Sequence, residues 1–233
     1  MSNRWQGLKE AFLDFLFPPH CVNCGREGDW LCPACQNQLS FILPPLCPKC
    51  GRHLGNALHC TACQSLRIDG IRSVAYSEGI LREAIHQFKY NGIQVLALPF
   101  GRMLYACWRS ENIPADVLVP VPLHPQRIRQ RGYNQSLLLA EQLSRYTGLP
   151  VDQTTLQRVK NTLPQVDLDA RQRRENVTDA FQCTSASLAG KDIVLIDDVC
   201  TTGATLEACS DALKAQGARS VWGFTLGRAR DAA

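Results

Sequence analysis

From residue 71 onward, short apolar runs alternate with stretches whose apolar positions recur at helical spacing. The runs at 117–121 and 193–196 are almost wholly apolar, which is typical of strands buried on both faces. Such alternation predicts an α/β fold with three layers, in which helices cover both faces of a sheet. The predicted strands are 71–76, 117–121, 155–159, 193–196 and 220–226, and the predicted helices are 80–90, 95–108, 134–146 and 205–215.

The chain before residue 67 has a different character. It contains eight of the twelve cysteines, is punctuated by prolines and has no long periodic run. A core this small requires a staple such as a bound metal ion. We therefore predict two domains, a cysteine-rich module at 1–66 that begins with a helix, and an α/β domain at 67–233.

Near the N-terminus, Trp5, Leu8, Phe12 and Leu16 share one face of a short helix. We expect this face to pack on the cysteine-rich module, and a helix lying on a membrane surface is the alternative. Charged residues interrupt the segment, which is too short to span a bilayer and lacks a signal-peptide cleavage site. Twelve cysteines without an export signal indicate a reducing compartment, so we expect a cytoplasmic protein with no transmembrane segment.

The composition narrows the class of protein only slightly. An apolar fraction of 45% and a charged fraction of 20% exclude a disordered chain. The formal charge of +4 is too small to assign a partner, but residues 120–175 contain nine Lys or Arg against five Asp or Glu. The positive excess therefore lies in the second half of the chain, where an anion site is predicted.

The cysteine-rich module contains four Cys-x-x-Cys pairs within 43 residues. Each pair can turn two thiolates toward one metal ion, and two pairs complete a tetrahedral four-sulfur site. We predict two structural Zn²⁺ ions, one held by the first two pairs and one by the last two. Spacing alone leaves a cross-braced arrangement and an iron–sulfur cluster open. The predicted ligands are Cys21, Cys24, Cys32, Cys35, Cys47, Cys50, Cys60 and Cys63.

The most informative segment, 194–206, reads Val-Leu-Ile-Asp-Asp-Val-Cys-Thr-Thr-Gly-Ala-Thr-Leu. It predicts a buried strand, two carboxylates (Asp197 and Asp198), and a loop of small hydroxylated residues that begins a helix. Ligands bind at this position in open α/β sheets, and successive backbone N–H groups of residues 201–205 can converge on an anion. Carboxylates beside a phosphate site require a ligand that also carries hydroxyls or a metal ion, as a ribose 5-phosphate does.

This segment resembles the motif with which type I phosphoribosyltransferases bind phosphoribosyl pyrophosphate (PRPP). The resemblance implies that Asp197 and Asp198 contact the ribose 2′ and 3′ hydroxyls, and that Mg²⁺ binds together with PRPP. The residues implied to hold the 5-phosphate are Thr201, Thr202, Gly203, Ala204 and Thr205.

Further segments are similar to the ComF/GntX competence-protein family. They are Val-Pro-Val-Pro at 119–122, Arg-Gly-Tyr-Asn-Gln-Ser at 131–136, and a spaced pattern from Arg158 to Phe181. Members of that family join a double zinc ribbon to a phosphoribosyltransferase-like domain, and the resemblance covers nearly the whole chain. It implies a role in DNA uptake or in the use of external DNA, including natural transformation.

Basic side chains are candidates for holding a pyrophosphate, because guanidinium groups form paired hydrogen bonds with phosphate oxygens. Arg127 and Arg131 follow the strand at 117–121, and Lys89 near the end of a predicted helix is a weaker candidate. The resemblance implies that residues 160–175 correspond to the mobile flap that closes over the pyrophosphate in phosphoribosyltransferases. The resulting catalytic candidates are Asp197, Asp198, Lys160 and Arg131.

Two functions follow from these residues. The first is a transferase of nucleobase salvage, in which a nitrogen nucleophile displaces pyrophosphate from Mg-PRPP and the acceptor base is unidentified. The second is a binding protein for PRPP or a ribonucleotide, whose zinc ribbons and basic face engage single-stranded DNA or DNA-uptake proteins. Trp30 and Phe41 could stack on bases, although core packing is the commoner fate of such residues.

Overall fold

The computed structural model describes residues 18–230 apart from 58–59, 61–62, 65, 162–176 and 178. The helix predicted near the N-terminus and most of the predicted flap lie outside these residues. In chain order the elements are α1 Pro33–Gln36, β1 Gly70–Tyr76, α2 Gly79–Tyr90, a 3₁₀ turn Gln94–Leu96, α3 Ala97–Trp108, β2 Val117–Pro120, α4 Pro125–Arg131, α5 Gln135–Thr147, β3 Leu156–Arg158, β4 Phe181–Cys183, β5 Asp192–Cys200, α6 Ala204–Ala215 and β6 Ser220–Arg228.

Four parallel strands form the central sheet in the order β1-β6-β5-β2. The two inner strands come from the most apolar part of the sequence, because a strand between two layers buries both of its faces. All four side chains from Ile193 to Ile196 are fully buried. Each of the nine predicted strands and helices is present, and the predicted α/β class is confirmed.

The strand side chains alternate between two hydrophobic cores, as the pleat of a strand requires. Val194 and Ile196 pack under α2, α3 and α5 with Phe88, Phe100 and Phe224. The next-door residues Ile193 and Leu195 pack on the opposite side, under α6 and the antiparallel pair formed by β3 and β4. The predicted three layers are therefore present.

The cysteine-rich module covers the outer edge of the sheet at β1. The backbone N–H of Ile42 donates to the carbonyl of Val74 at 3.1 Å, and the N–H of Tyr76 donates to the carbonyl of Ser40 at 2.8 Å. A strand edge left open presents unpaired backbone groups, so this short antiparallel contact satisfies groups that would otherwise face water or another chain. It also attaches the module firmly to the α/β domain.

The connection between the two parts is docked along α6. The N–H of Arg67 donates to Glu207, and its guanidinium pairs with the carboxylate of Asp211 at 2.5 Å. Lys214 pairs with Asp69 at 2.9 Å. Exposed ion pairs of this type contribute little individually, but together they fix the path of the chain as it enters β1.

Three features differ from the sequence-based expectation. The segment with Arg127 and Arg131, expected as a loop, forms the short helix α4, which Pro125 begins and Gly132 ends in a left-handed conformation. Strand β5 continues through the acidic pair to Cys200, because β6 runs alongside it to Arg228. A short strand, β4, was not predicted and pairs with β3.

A buried hydroxyl pair joins the two strands at the module's edge of the sheet. The Ser73 and Thr225 hydroxyl oxygens are 2.7 Å apart and both side chains are buried. Thr225→Val leaves the Ser73 hydroxyl without this partner, and we expect a loss of about 1–3 kcal/mol in the free energy of unfolding. Urea denaturation measures this loss.

Ser73→Ala combined with Thr225→Val is the control, because replacing both partners removes the unsatisfied group and should recover part of the loss. A loss below about 0.5 kcal/mol in the single variant would show that the pair does not stabilise the sheet.

Candidate functional site

The acidic pair predicted from the sequence lies at the carboxyl edge of the sheet, where ligands bind in open α/β folds. Three elements contribute, namely the end of β5, the C-terminal turn of α2 and the first turn of α5. Asp197 and Asp198 lie on β5, where Asp197 is the partner of Thr225 and Val199, the residue after Asp198, is the partner of Gly227 in the ladder with β6. The acidic pair is thus held by a central strand and not by a loop.

Asp197 is surrounded by hydrogen-bond donors. The Ser136 hydroxyl donates to Asp197 Oδ1 at 2.8 Å, and the backbone N–H of Asp198 donates to the same oxygen at 2.9 Å. Burial and then the neighbouring charge of Asp198 raise the pKa of Asp197 to about 7, against the opposing effects of Lys89 and Ser136. A carboxyl group with a pKa near neutrality is typical of a functional site.

Asp198 is the more deeply buried of the two acids, with 3% of its surface exposed. The ammonium group of Lys89, from the last turn of α2, lies 2.8 Å from Asp198 Oδ1. Burial alone would lower the pKa of Lys89, but the charge of Asp198 and its hydrogen bond outweigh burial and raise that pKa. Asp198 Oδ2 is buried and accepts no hydrogen bond from any residue that the structure describes.

The phosphate loop predicted after β5 occupies residues 201–203, and α6 begins at Ala204. Gly203 has a left-handed backbone (φ +85°), and a Cβ atom there would lie 3.3 Å from Ile71 Cδ1. The left-handed backbone favours glycine, and a side chain there would press against the end of the Ile71 side chain. The Ala204 N–H donates to the Thr202 hydroxyl at 3.3 Å, which closes a tight turn at the start of the helix.

The segment 131–136 contacts both α2 and β5. The Arg131 guanidinium lies 5.1 Å from the centre of the Tyr90 ring and donates a hydrogen bond to Gln135. The Tyr133 hydroxyl donates to the carbonyl of Phe88, and Asn134 caps α5 through the N–H of Ser136 at 3.0 Å. These contacts place Arg131 beside the turn that carries Lys89.

A further arginine, Arg158, interacts with the charge of Asp197. Arg158 at the end of β3 stacks on the Phe181 ring at 5.3 Å. Burial, followed by the positive charge of Arg127, lowers the pKa of Arg158, whereas the charge of Asp197 acts in the opposite direction. In the sequence Arg158 stands out only as part of the family pattern, since nothing local to β3 indicates that it interacts with Asp197 on β5.

Lys160 differs from the other predicted site residues. Its ammonium is about half exposed and lies 3.7 Å from the carboxylate of Asp179, which is largely exposed. Residues 162–175 of the predicted flap lie outside the described residues. The assignment of Lys160 to the catalytic set stays a prediction.

The eight predicted metal ligands form two four-sulfur clusters. Cys21, Cys24, Cys32 and Cys35 bring their sulfurs within 4.8 Å of one another, and so do Cys47, Cys50, Cys60 and Cys63. Both clusters open with the same turn, in which the N–H of Gly25 or Gly51 donates to the first cysteine's carbonyl at 2.9 or 3.0 Å. The predicted sequential pairing is confirmed, and both sites suit tetrahedral Zn²⁺.

The two aromatic candidates for base stacking have different environments. Trp30 packs against the core that also contains the first cysteine cluster. Phe41 is 41% exposed at the edge of the module. In the part of the chain that the structure describes, no helix has the length and apolar character needed to cross a bilayer.

Comparison with known sequences identifies both parts of the chain. Residues 12–64 match the family described as "Double zinc ribbon domain", and residues 134–228 match "Phosphoribosyl transferase domain". Competence protein F of Haemophilus influenzae is 33% identical over 227 residues, which are 88% of this chain and 95% of that protein. The chain belongs to the ComF competence-protein family.

Two other curated proteins extend this finding for the ComF-family chain. Competence protein ComFC of Bacillus subtilis is 31% identical over 84% of this chain and 83% of its own length. DNA utilization protein YhgH of Escherichia coli (strain K12) is 34% identical over 60% of this chain and 64% of its own length. The predicted double zinc ribbon followed by a phosphoribosyltransferase-type fold is therefore confirmed.

Solved structures give a more distant match to the ComF-family chain. Glutamine phosphoribosylpyrophosphate amidotransferase from B. subtilis, complexed with ADP and GMP, aligns with 57% of this chain and 26% of its own. The identity is 20% and the TM-score is 0.39.

The two cysteine clusters predict the metal content of the ComF-family protein. We expect two zinc ions per chain by elemental analysis of protein purified without added metal. Cys24→Ser should lower the content to about one ion, since three ligands hold zinc far less tightly than four. Cys107→Ser, outside both clusters, is the control and should leave the content unchanged, whereas iron in place of zinc would contradict the assignment.

The Lys89–Asp198 pair predicts how the acidic pair titrates. In wild-type protein we expect the Asp197 carboxyl to titrate near pH 7. Carbon-13 NMR of the aspartate side chains measures this titration. The folded state then holds a proton between about pH 4 and 7 that the unfolded chain has lost, so stability should fall as pH rises through this window.

Lys89→Met removes a positive charge that lowers the pKa of Asp197, so the midpoint should move upward. In Lys89→Arg, which keeps the charge, Asp197 should titrate as in wild type. The same is expected for Lys191→Met, at an exposed position just before β5. An unchanged or lower midpoint in Lys89→Met would contradict the role of this ion pair.

Proposed function

We propose that this ComF-family protein binds Mg-PRPP at Asp197, Asp198 and the loop 201–205, and that this binding serves DNA uptake or utilisation. The observation that carries the proposal is an acidic pair, with Asp198 buried, two residues before a phosphate-type loop at the carboxyl edge of a parallel sheet. The names of the relatives, competence protein F and DNA utilization protein YhgH, support the biological part.

The residues present fit the ribose end of such a ligand. Asp198 Oδ2 has no partner among the described residues, and a buried acceptor without a donor is costly unless a ligand satisfies it. A ribose hydroxyl would supply that donor once the carboxylate becomes accessible. Asp197, which is only partly buried, would accept from the neighbouring hydroxyl. Both contacts need the carboxylates in their ionised form.

The phosphate end fits the loop and the helix that follows it. Backbone N–H groups at the start of the 12-residue helix α6 point out of its first turn, and the helix dipole favours an anion there. Gly203 allows the chain to turn closely enough for these groups to converge. The hydroxyls of Thr201, Thr202 and Thr205 are the additional donors in this assignment.

Basic side chains are available for the pyrophosphate. Lys89 pairs with Asp198, and Arg131 lies over the ring of Tyr90, the residue after Lys89. The charge of Asp197 acts on Arg158, which also lies within reach of the charge of Arg127. Guanidinium groups bind phosphate oxygens through two parallel hydrogen bonds and stay charged at all relevant pH values. Mg²⁺, when bound with PRPP, neutralises the charge of the pyrophosphate and takes most of its ligands from PRPP oxygens and water.

The link to DNA rests on the zinc ribbons and on charge. Closed four-cysteine zinc sites have no open coordination position, so their role is to present a surface to nucleic acid or protein. Positive charge is concentrated in residues 120–175, and Phe41 offers an exposed ring. We propose single-stranded DNA or DNA-uptake proteins as partners, and a cytoplasmic location, since the thiol ligands need a reducing compartment.

A second candidate is an active phosphoribosyltransferase of nucleobase salvage. The basic groups Lys89 and Arg158, which interact with the acidic pair, favour it, because stabilising the departing pyrophosphate is the main electrostatic task of such an enzyme. In this function Asp197 and Asp198 would offset the positive charge that develops on the ribose, and Arg131 would hold the leaving group.

Calorimetric titration with Mg-PRPP tests the proposal. We expect the wild-type protein to bind and Asp197→Asn/Asp198→Asn to bind at least about tenfold more weakly, which corresponds to about 1.4 kcal/mol. Asp192→Asn is the matched control, because Asp192 lies at the opposite end of β5 and pairs with Arg219. It should bind like wild type.

A panel of nucleobases added to the complex then separates the two functions. Release of pyrophosphate that depends on one base would establish the transferase and identify its acceptor. Binding without release supports the DNA-linked binding protein. No binding by the wild-type protein, or equal binding by the double variant, would contradict the assignment of the site.

A further inference from the structure

A buried arginine connects the phosphate loop to the second cysteine cluster. Arg228 is the last residue of β6, and only 3% of its surface is exposed. Its guanidinium donates to the carbonyl of Cys50 at 2.6 Å across 178 positions of sequence. Burying a guanidinium is costly unless hydrogen bonds and negative charge compensate it. Four thiolates around one Zn²⁺ leave a net negative charge, which the second cluster would supply.

The backbone of Arg228 is tied to the start of the phosphate loop. Arg228 is the partner of Cys200 in the ladder between β5 and β6. The N–H of Ala229 donates to the carbonyl of Cys200 at 2.9 Å, immediately before the loop residues 201–203. Arg228 thus contacts the turn that carries Cys50 with its side chain, and its backbone pairs with the end of β5 just before the phosphate loop.

A second set of contacts runs through Ile71. The N–H of Ile71 donates to the carbonyl of Lys49 at 2.7 Å, inside the turn between Cys47 and Cys50. A side chain on Gly51 would overlap the Ile71 carbonyl oxygen, so the turn packs directly on β1. At its other end, Ile71 Cδ1 lies 3.3 Å from the position of a Cβ on Gly203.

Leu66 provides a third connection. It follows Cys63 by three residues and packs against the cluster that contains Cys47, Cys50 and Cys63. It also packs in the core beneath α6, and its Cδ2 lies 4.0 Å from the Cβ position of Gly203. Leu66 therefore links the second cluster to the turn of the phosphate loop by direct packing.

The first cysteine cluster has a different environment. Cys21, Cys32 and Cys35 pack with Leu31 and Val74 in the core on the other side of the sheet, beneath α2, α3 and α5. It belongs to the same module and has the same four-cysteine chemistry. It is consequently a natural internal control for the second cluster.

We infer that Arg228 is a positioning residue, through which zinc in the second cluster holds the phosphate loop in the shape that binds an anion. This inference rests on the proposed binding of Mg-PRPP at that loop. Coupling between two sites is reciprocal. Zinc in the second cluster should strengthen binding of Mg-PRPP, and bound Mg-PRPP should retard loss of that zinc.

The first test is calorimetry with Mg-PRPP on variants that retain both zinc ions. Arg228→Met keeps the length of the side chain but removes the donor to Cys50, and we expect binding about tenfold weaker than wild type. Arg228→Lys restores a cationic donor and should recover most of the affinity. Arg219→Met is the matched control, because Arg219 pairs with Asp116 and Asp192 at the far end of the sheet, and it should bind like wild type.

The second test uses wild-type protein and needs no variant to fold. Release of zinc to a coloured chelator is followed with and without Mg-PRPP, with magnesium pyrophosphate as the control for metal binding by the ligand. We expect Mg-PRPP to slow release of one of the two zinc ions by about fivefold or more. Cys24→Ser, which disrupts the first cluster, should retain the protected ion.

The outcomes separate this inference from the proposed function. If wild-type protein fails to bind Mg-PRPP, the proposed function is wrong and this inference falls with it. If wild type binds but Arg228→Met binds equally well, or if Mg-PRPP protects neither zinc ion, only the coupling is wrong. Protection of the first cluster instead of the second would also overturn it.

Discussion

The structure depends on stabilising two adjacent carboxylates at the end of a central strand. Asp197 lies beside Thr225 of β6 in the ladder, its neighbour Asp198 is almost fully buried, and the two charges repel each other. The fold compensates with a lysine from one helix and a hydroxyl from another, at 2.8 Å in both cases. Helices α2 and α5 must therefore end and begin at this edge, and the candidate site is the place where they meet.

Direct contacts join the zinc module to the phosphoribosyltransferase-type domain. The module pairs with the outer edge of β1 through residues 40–42, and its second cysteine cluster packs beneath the phosphate loop. Neither small cluster has enough apolar surface to fold without metal and neighbours. The two parts of the chain thus share contacts at the point where a ligand would bind.

Sequence patterns predicted much of this arrangement because the relevant signals are local. Apolar runs identify the buried strands, the cysteine spacing identifies the metal ligands, and the segment 194–206 identifies the acidic pair and its loop. Contacts set by topology were not predictable. Lys89 is 109 positions from Asp198 and was only a weak candidate, and Arg228 is 178 positions from Cys50. Helix α4 was missed because a short helix begun by proline resembles a loop in sequence.

We propose that the end of β5 and the following loop hold a phosphoribosyl ligand. A crystal structure of the wild-type protein grown with Mg-PRPP tests this directly. We expect electron density for the 5-phosphate on the backbone of residues 201–205, with ribose hydroxyls on Asp197 and Asp198. Density for the ligand elsewhere on the surface, with Lys89 still paired to Asp198 and the loop empty, would contradict it.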